Sequence, residues 1–177
     1  MRRIAGVLFA VAMVAPIGLV ASPAGAAAGA TCKTISGTAA FSPGLPPVTA
    51  KTTAKPTVTI KNAKLGGCTG GVTSGTLSAT LKFGIANNCK TLIAGATTNT
   101  SGTATVVWNN KTTSTIALKL VGVKGKPTQT TIPGTVTTGA FKGSKSSGTV
   151  VYTIAGGQCT SKPLTSVPFK QVTSIVI

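Results

Sequence analysis

The sequence predicts an all-β fold: an Ig-like or related antiparallel β-sandwich of about eight to ten short strands with two disulfides. Three observations support this class. Segments rich in Thr, Val and Ile alternate with polar residues and are separated by Gly, Pro and Asn. No stretch has a helical period, and Gly and Thr are too frequent for one. The four cysteines can supply the disulfides.

Residues 1–30 have the features of a secretory signal peptide that is cleaved near residues 26–30. Two arginines precede an apolar run over residues 4–20. Two sites acceptable to a signal peptidase follow, Ala24-Gly25-Ala26 and Ala28-Gly29-Ala30. We therefore predict export through the general secretory (Sec) route and a secreted, extracellular protein. A retained membrane anchor is the alternative, and the Pro and Gly interruptions of the apolar run count against it.

The part that remains, residues 31–177, is long enough for a single domain with a real core. The Pro-rich stretch 43–56 is predicted as a loop or an extended edge, because Pro cannot donate to a ladder. One strand is expected before it, over 32–42. After it, 57–63 and 76–83 alternate apolar and polar residues, so each strand presents one apolar face. A cluster of glycines over 66–71 and the Asn87-Asn88-Cys89 stretch predict the turns on either side of the third strand.

The central feature is a predicted β-hairpin with Asn109-Asn110 at its tip, where the tolerance of Asn for positive φ suits a tight turn. A three-residue loop pairs Trp108 with Thr112 and Ala104 with Ile116. That register gathers the only Trp and the aliphatic residues on one face, whereas a two-residue turn separates them, so we expect the three-residue loop. Trp108 is then a core residue. A sugar-stacking platform is its alternative role.

Beyond the hairpin, the remaining apolar segments predict four more strands: two within 128–141 that are broken at Pro133-Gly134, one over 149–154, and one over 169–177. A basic turn over 122–127 precedes these strands, and the loops at 143–148 and 156–163 contain Lys, Ser and Gly.

All four cysteines lie in the exported part, where an oxidising compartment favours disulfides: Cys32, Cys68, Cys89 and Cys159. The strand over 76–83 spans roughly 26 Å, whereas bridged cysteines need Cα atoms within about 7 Å, so Cys68 and Cys89 are not expected to pair. Cys32 and Cys68 lie near the open end of a hairpin. We therefore expect the pairs Cys32–Cys68 and Cys89–Cys159. A zinc site is the alternative, but the sequence has no His and no Cys-x-x-Cys spacing.

The sequence contains no Asp, Glu or His, and its formal net charge is +17, or +15 once Arg2 and Arg3 leave with the signal peptide. Paired-carboxylate hydrolysis, Ser–His or Cys–His nucleophiles and carboxylate-bound cations all lack their residues. Neither Ser-x-x-Lys nor Cys-x-x-Cys is present. We therefore predict that the protein is not an enzyme and has no cofactor or metal.

The unbalanced positive charge suggests polyanion binding. The densest lysine pairs lie in predicted loops, and these four residues are the candidate binding site: Lys124, Lys126, Lys142 and Lys145. Specific nucleic-acid recognition is not expected, because the exported part has no Arg and few aromatic residues. Anionic polymers or lipids of the cell envelope are the expected partners. Solubility and strand-edge protection are the alternative use of the charge.

These observations predict a secreted, non-enzymatic binding or structural protein of the bacterial cell envelope. A membrane pore-forming β-barrel protein is the alternative, because strands of alternating polarity are its signature. The shortage of aromatic residues, the disulfides and the shortness of the predicted strands count against it.

Three short motifs in the C-terminal two thirds of the chain carry a resemblance: Trp108-Asn109-Asn110, then Gly139-Ala140-Phe141-Lys142-Gly143, then Cys159 followed by Pro163-Leu164. Together with the Arg-Arg signal peptide, they make the chain resemble small secreted β-rich proteins of actinobacteria that carry no assigned activity. The resemblance implies secretion and a β-rich class, and it brings no functional residues with it.

Overall fold

The computed structural model describes residues 29–94 and 99–177, so most of the predicted signal peptide lies outside the described residues. The described residues form eleven strands and one short helix. In chain order they are β1 (Thr31–Leu45), β2 (Thr57–Thr69), β3 (Ser74–Lys82), α1 (Cys89–Ile93), β4 (Thr100–Trp108), β5 (Thr113–Val123), β6 (Lys126–Thr131), β7 (Gly134–Gly139), β8 (Lys145–Ser146), β9 (Thr149–Tyr152), β10 (Leu164–Gln171) and β11 (Ile175–Val176).

Eight of the strands close into one antiparallel barrel in the order β1-β2-β3-β4-β5-β6-β9-β10 and back to β1. Strands β7 and β8 branch from β5, and β11 pairs with the start of β1. The all-β class and the two disulfides are confirmed. The predicted Ig-like sandwich is wrong, because the strands share a single closed sheet and do not form two facing ones.

Two features of the strands explain the closure. Strands β1 and β2 contain 15 and 13 residues and are longer than predicted. The β1–β2 pairing shifts register between Ser36 and Ala39, and the β2–β3 pairing shifts between Ile60 and Ala63; such bulges bend a strand and increase its twist. Gly66, predicted as part of a turn, lies inside β2. A Cβ there would approach Thr34 Oγ1 to 2.7 Å, so Gly permits the close pairing.

The β4–β5 hairpin has the predicted register, with Ala104 opposite Ile116. The N–H of Trp108 donates to the Thr112 carbonyl at 2.9 Å, and the N–H of Lys111 donates to the Trp108 carbonyl at 3.0 Å. These bonds close the expected three-residue loop.

The role predicted for the two asparagines at this tip is wrong in its detail. The positive φ, 68°, belongs to Lys111 and not to an asparagine. The Asn side chains act as hydrogen-bond acceptors: Asn109 Oδ1 accepts from the N–H of Thr73 at 3.0 Å, and Asn110 Oδ1 accepts from the N–H of Thr112 at 3.1 Å. The first of these bonds ties the hairpin tip to the turn between β2 and β3.

One end of the barrel, here called the tryptophan end, is closed by the indole of Trp108, which is 1% exposed. Its Nε1 donates to Ser114 Oγ at 2.8 Å, and that hydroxyl donates to the Ala140 carbonyl at 2.6 Å. The Phe141 ring meets the indole edge-on, with centroids 5.5 Å apart. The prediction of Trp108 as a core residue is confirmed.

The opposite end, here called the helix end, carries α1. This helix was not predicted, because five residues are too few to show a helical period. Asn88 caps the helix: its Oδ1 accepts from the N–H of Thr91 at 3.2 Å, and Thr91 Oγ1 accepts from the N–H of Asn88 at 3.1 Å. Cys89 is bonded to Cys159 in the loop between β9 and β10.

The two disulfides are Cys32–Cys68 and Cys89–Cys159, the pairing that the sequence favoured. Cys32 and Cys68 lie directly opposite each other on β1 and β2. The single strand predicted over 169–177 is replaced by two, β10 and β11.

Candidate functional site

The surface is uniformly basic. Two of the 17 basic residues are Arg2 and Arg3, and the other 15 are lysines, all of which are exposed. Because the sequence has no Asp or Glu, no lysine can form a salt bridge with a side chain. No acidic side chain therefore offsets the positive charge of the lysines.

The structure divides the four predicted binding lysines between two hairpins. Lys124 and Lys126 lie at the β5–β6 tip, at the helix end. Lys142 and Lys145 belong to the turn from β7 to β8, which branches from the other half of β5. Lys145 Nζ donates to Thr135 Oγ1 at 3.3 Å. The four residues are thus two separate pairs and not one patch.

Strand register brings together two lysines that spacing along the chain keeps apart. Lys82 on β3 and Lys119 on β5 both lie opposite Ser101 on β4, one on each side of it. At a strand spacing of about 4.8 Å, their Cα atoms are roughly 10 Å apart on the outer face. The hairpin register already implied the Ser101–Lys119 pairing, but the β3–β4 register was not available from the sequence.

A second candidate site lies inside the barrel, toward the helix end. It is an apolar cavity of about 110 Å³. Its lining includes buried side chains of β1, β2, β3 and β10, among them Val58, Leu81 and Val167. Leu92 of α1 and Pro127 of β6 lie at its rim, and Pro127 is the one lining residue that is exposed. The cavity therefore opens beside β6.

The side chain of Tyr152 lines this cavity and fixes the rim. Its hydroxyl donates to the Pro127 carbonyl at 2.7 Å and lies 3.4 Å from the Leu92 carbonyl, so it joins β9 to β6 and faces α1. Burial raises the pKa of Tyr152 from 10.0 to about 12. The group is thus neutral at physiological pH and acts as a hydrogen-bond donor, not as an acid or base.

Within the described ranges, 29–94 and 99–177, no three His, Cys, Asp or Glu residues come together as metal ligands. Over the same residues, no helix is long and apolar enough to cross a membrane. Comparisons with protein-family models, with curated proteins and with solved structures found no match to this chain.

Proposed function

We propose that this protein is a secreted, non-enzymatic binding or structural protein of the bacterial cell envelope, which adheres to anionic polymers through its surface lysines. One observation carries the proposal: all 15 lysines are exposed in a chain that has no acidic residue. The two disulfides support export, because disulfides persist in oxidising compartments. The lack of acidic residues and His supports a non-enzymatic role.

The distribution of the lysines indicates the kind of partner. An exposed ion pair contributes only about 0–1 kcal/mol, so the contacts of a single pair of lysines give weak binding. Lys124 with Lys126, Lys142 with Lys145, and Lys82 with Lys119 lie on different parts of the surface. A long polymer with repeated anionic groups can reach several of these pairs at once, and linked weak contacts multiply in affinity.

The test is sedimentation of the oxidised mature protein with isolated cell envelope over a range of salt concentrations. We expect binding to fall steeply as salt rises, because exposed charges more than about a Debye length apart are screened. Binding that ignores salt, or no binding at low salt, would contradict the proposal.

A charge-matched pair of variants tests the loop lysines. One carries Gln at Lys124, Lys126, Lys142 and Lys145, and the control carries Gln at four other exposed lysines, Lys51, Lys61, Lys64 and Lys170. Both lose the same net charge. We expect the first to bind the envelope more weakly than the control. Equal loss in both would show that adhesion depends on total charge and not on the two hairpins.

A membrane pore-forming β-barrel protein stays the second proposal, because the chain closes into a barrel. Five of the eight barrel strands, β1 to β5, have nine residues or more and are long enough to span a membrane, whereas β6, β9 and β10 have six, four and eight. Two features favour the binding protein. A pore has a polar lumen and an apolar outer band, whereas Leu77, Ala79 and Leu81 of β3 point into this barrel and Ser78 and Thr80 point outward. Dye release from lipid vesicles would support the pore.

A further inference from the structure

We propose that the barrel interior binds the alkyl chain of a single-chain amphiphile with an anionic head group. This site goes beyond the adhesion proposed above, because it lies inside the barrel and does not depend on an envelope polymer.

The cavity exists because one row of inward-facing residues is small. An eight-stranded barrel is just wide enough for side chains to fill it or to hold one small ligand. Across the middle of this barrel, directly paired residues of β10, β1, β2, β3, β4 and β5 form one row: Val167, Ala39, Ile60, Ala79, Ala104 and Ile116. Three of the six are alanines. Ala39 and Ala79 line the cavity, and their small side chains leave space that larger aliphatic side chains at these positions would fill.

A void of this size is unusual in a protein interior, which is normally close-packed. The volume, about 110 Å³, is comparable to apolar cavities of roughly 150 Å³ that stay dry and bind benzene. Filling such a space with hydrocarbon restores the dispersion contacts that the lining side chains lack. A cavity that is also open at one end can be filled by a ligand from outside.

The lining selects hydrocarbon for the deep part of the site. Ile35, Leu77 and Ala79 lie farther from the helix end, are all buried and present only carbon there. The polar side chains of the lining, Gln129, Thr130 and Tyr152, all lie on β6 and β9, toward the opening. A polar group carried into the deep part would find no partner and would lose hydrogen bonds to water. A narrow alkyl chain fits, because its remainder can leave through the opening.

The charge around the opening selects the head group. Lys126 directly precedes Pro127 at the rim, and Lys124 lies two residues before Lys126 in the same hairpin. Lys90 lies two residues before Leu92, on the rim helix. All three lysines are exposed, and the chain offers no acidic side chain to neutralise them. A ligand whose chain enters beside Pro127 thus has its head in a positive field, which favours an anion.

The first experiment compares three ligands that share one chain, decanoate, decanol and decyltrimethylammonium, by calorimetry at neutral pH and below their micelle concentrations. We expect one-to-one binding that is tightest for decanoate, weaker for decanol and weakest for the cation. Added salt should weaken only decanoate. If none of the three binds one-to-one, the cavity site is wrong. If decanoate and the cation bind equally well, the anionic head group is wrong.

Two neighbouring alanines supply matched variants. Ala39 lines the cavity, whereas Ala40, the next residue of β1, faces outward and is exposed. We expect Ala39→Leu to weaken decanoate binding by about tenfold or more, because the added side chain occupies the space of several methylene groups. Ala40→Leu adds the same group outside and should bind decanoate like the wild type. Equal binding by the two variants would place the chain elsewhere and overturn the proposal.

A measurement on the unmodified protein covers the case in which Ala39→Leu does not fold. The terminal methyl of bound decanoate should give nuclear Overhauser contacts to Leu77, a buried lining residue that lies two positions from Ala79 toward the tryptophan end. Contacts only to residues on the outer face would overturn the site. Because these ligands are single molecules in solution, a failure here leaves the envelope adhesion untouched, and failure of envelope sedimentation leaves this site untouched.

Discussion

At the scale of single residues, a buried hydroxyl holds the tryptophan end together. Ser114 is 0% exposed and forms two side-chain hydrogen bonds, accepting from Trp108 Nε1 and donating to the Ala140 carbonyl. The indole belongs to the end of β4, and the carbonyl belongs to the turn that follows β7. The Ser114 hydroxyl therefore gives a hydrogen-bond partner to two polar groups, the indole N–H and the carbonyl, that would otherwise lack one.

We expect Ser114→Ala to lower the free energy of unfolding by about 1–3 kcal/mol, because it leaves the buried indole N–H of Trp108 and the partly buried Ala140 carbonyl without this partner. Urea denaturation under oxidising conditions measures this. The control is Ser101→Ala, which removes the same hydroxyl at an exposed position of β4 and should change stability by less than about 0.5 kcal/mol. Equal effects in the two variants would contradict the stabilising role of the two hydrogen bonds of Ser114.

The single Tyr in the sequence gives a direct test of the cavity rim. Burial raises the pKa of Tyr152 to about 12, so the folded protein holds this proton more tightly than the unfolded chain, where the pKa is near 10. The contribution to stability is therefore complete below pH ~10 and is lost as the pH rises through ~12. Ultraviolet titration of tyrosinate in the native protein should show the raised pKa, and titration in denaturant the ordinary one. Coincident midpoints would show that the ring is solvated.

What could be predicted at this scale depended on distance along the chain. Trp108 as a core residue and its register with Thr112 followed from alternation over four residues. Ser114 was not recognised, because its acceptor, Ala140, is 26 residues away in a separate turn. The site lysines show the same limit. The pair Lys124 and Lys126 is visible in the sequence, whereas the approach of Lys82 to Lys119 depends on the register of a second strand pair.

At the scale of elements, the β4–β5 hairpin combines a favourable tip with one strained residue. Lys111 has φ of 68°, a conformation that costs a non-glycine residue about 1–2 kcal/mol. We expect Lys111→Gly to raise the free energy of unfolding by about 0.5–1 kcal/mol, since glycine adopts this φ freely but loses more backbone entropy on folding.

The matched control for the hairpin tip is Lys111→Ala. It removes the same charge but keeps a side chain at positive φ, so it should not be stabilising. Chemical denaturation of both variants beside the wild type measures the difference. If Lys111→Ala stabilised the protein as much as Lys111→Gly, relief of charge repulsion and not backbone strain would be the cause.

Alternating polarity identified the strands better than their ends. The strand over 76–83 was found with its inward residues, because one buried face imposes a period of two. Helix α1 was not predicted, because five residues are too few to show a helical period, even though Leu92 and Ile93 pack against the core. The extension of β2 through Gly66 was not predicted either, because glycine in a sequence indicates a turn more often than a close strand pairing.

At the scale of the whole molecule, closure depends on pairings that leave no local signal. Ser36 lies opposite Lys170, and Gln129 lies opposite Val151. Neither pair belongs to a hairpin, so no turn motif marks it. The sequence therefore predicted the class and approximate number of strands, but both a sandwich and a barrel satisfy the same alternation. The internal cavity is likewise a property of closure, since Ala39 and Ala79 come into one row only when β1, β2 and β3 are side by side.

The pairing of β1 with β11 favours one of the two predicted signal-peptidase sites. The β1–β11 ladder pairs Thr31 with Val176, and the next pair beyond it is Ala30 with Ile177. The N–H of Ala30 donates to the Ile177 carbonyl at 2.7 Å, and the N–H of Ile177 donates to the Ala30 carbonyl at 2.8 Å. Ala30 is 0% exposed, so its side chain is part of the packed core of the folded domain.

We therefore expect cleavage after Ala26, which leaves Ala30 in the mature protein, and not after Ala30. Intact mass and N-terminal sequencing of the exported protein should show a chain that begins at Ala27. A mature chain that begins at Thr31 would contradict this prediction. The physical reason is tested separately by comparing two refolded, oxidised chains, one starting at Ala27 and one at Thr31. The shorter chain lacks both hydrogen bonds to Ile177 and the buried Ala30 side chain, so it should be less stable by about 1–3 kcal/mol in urea.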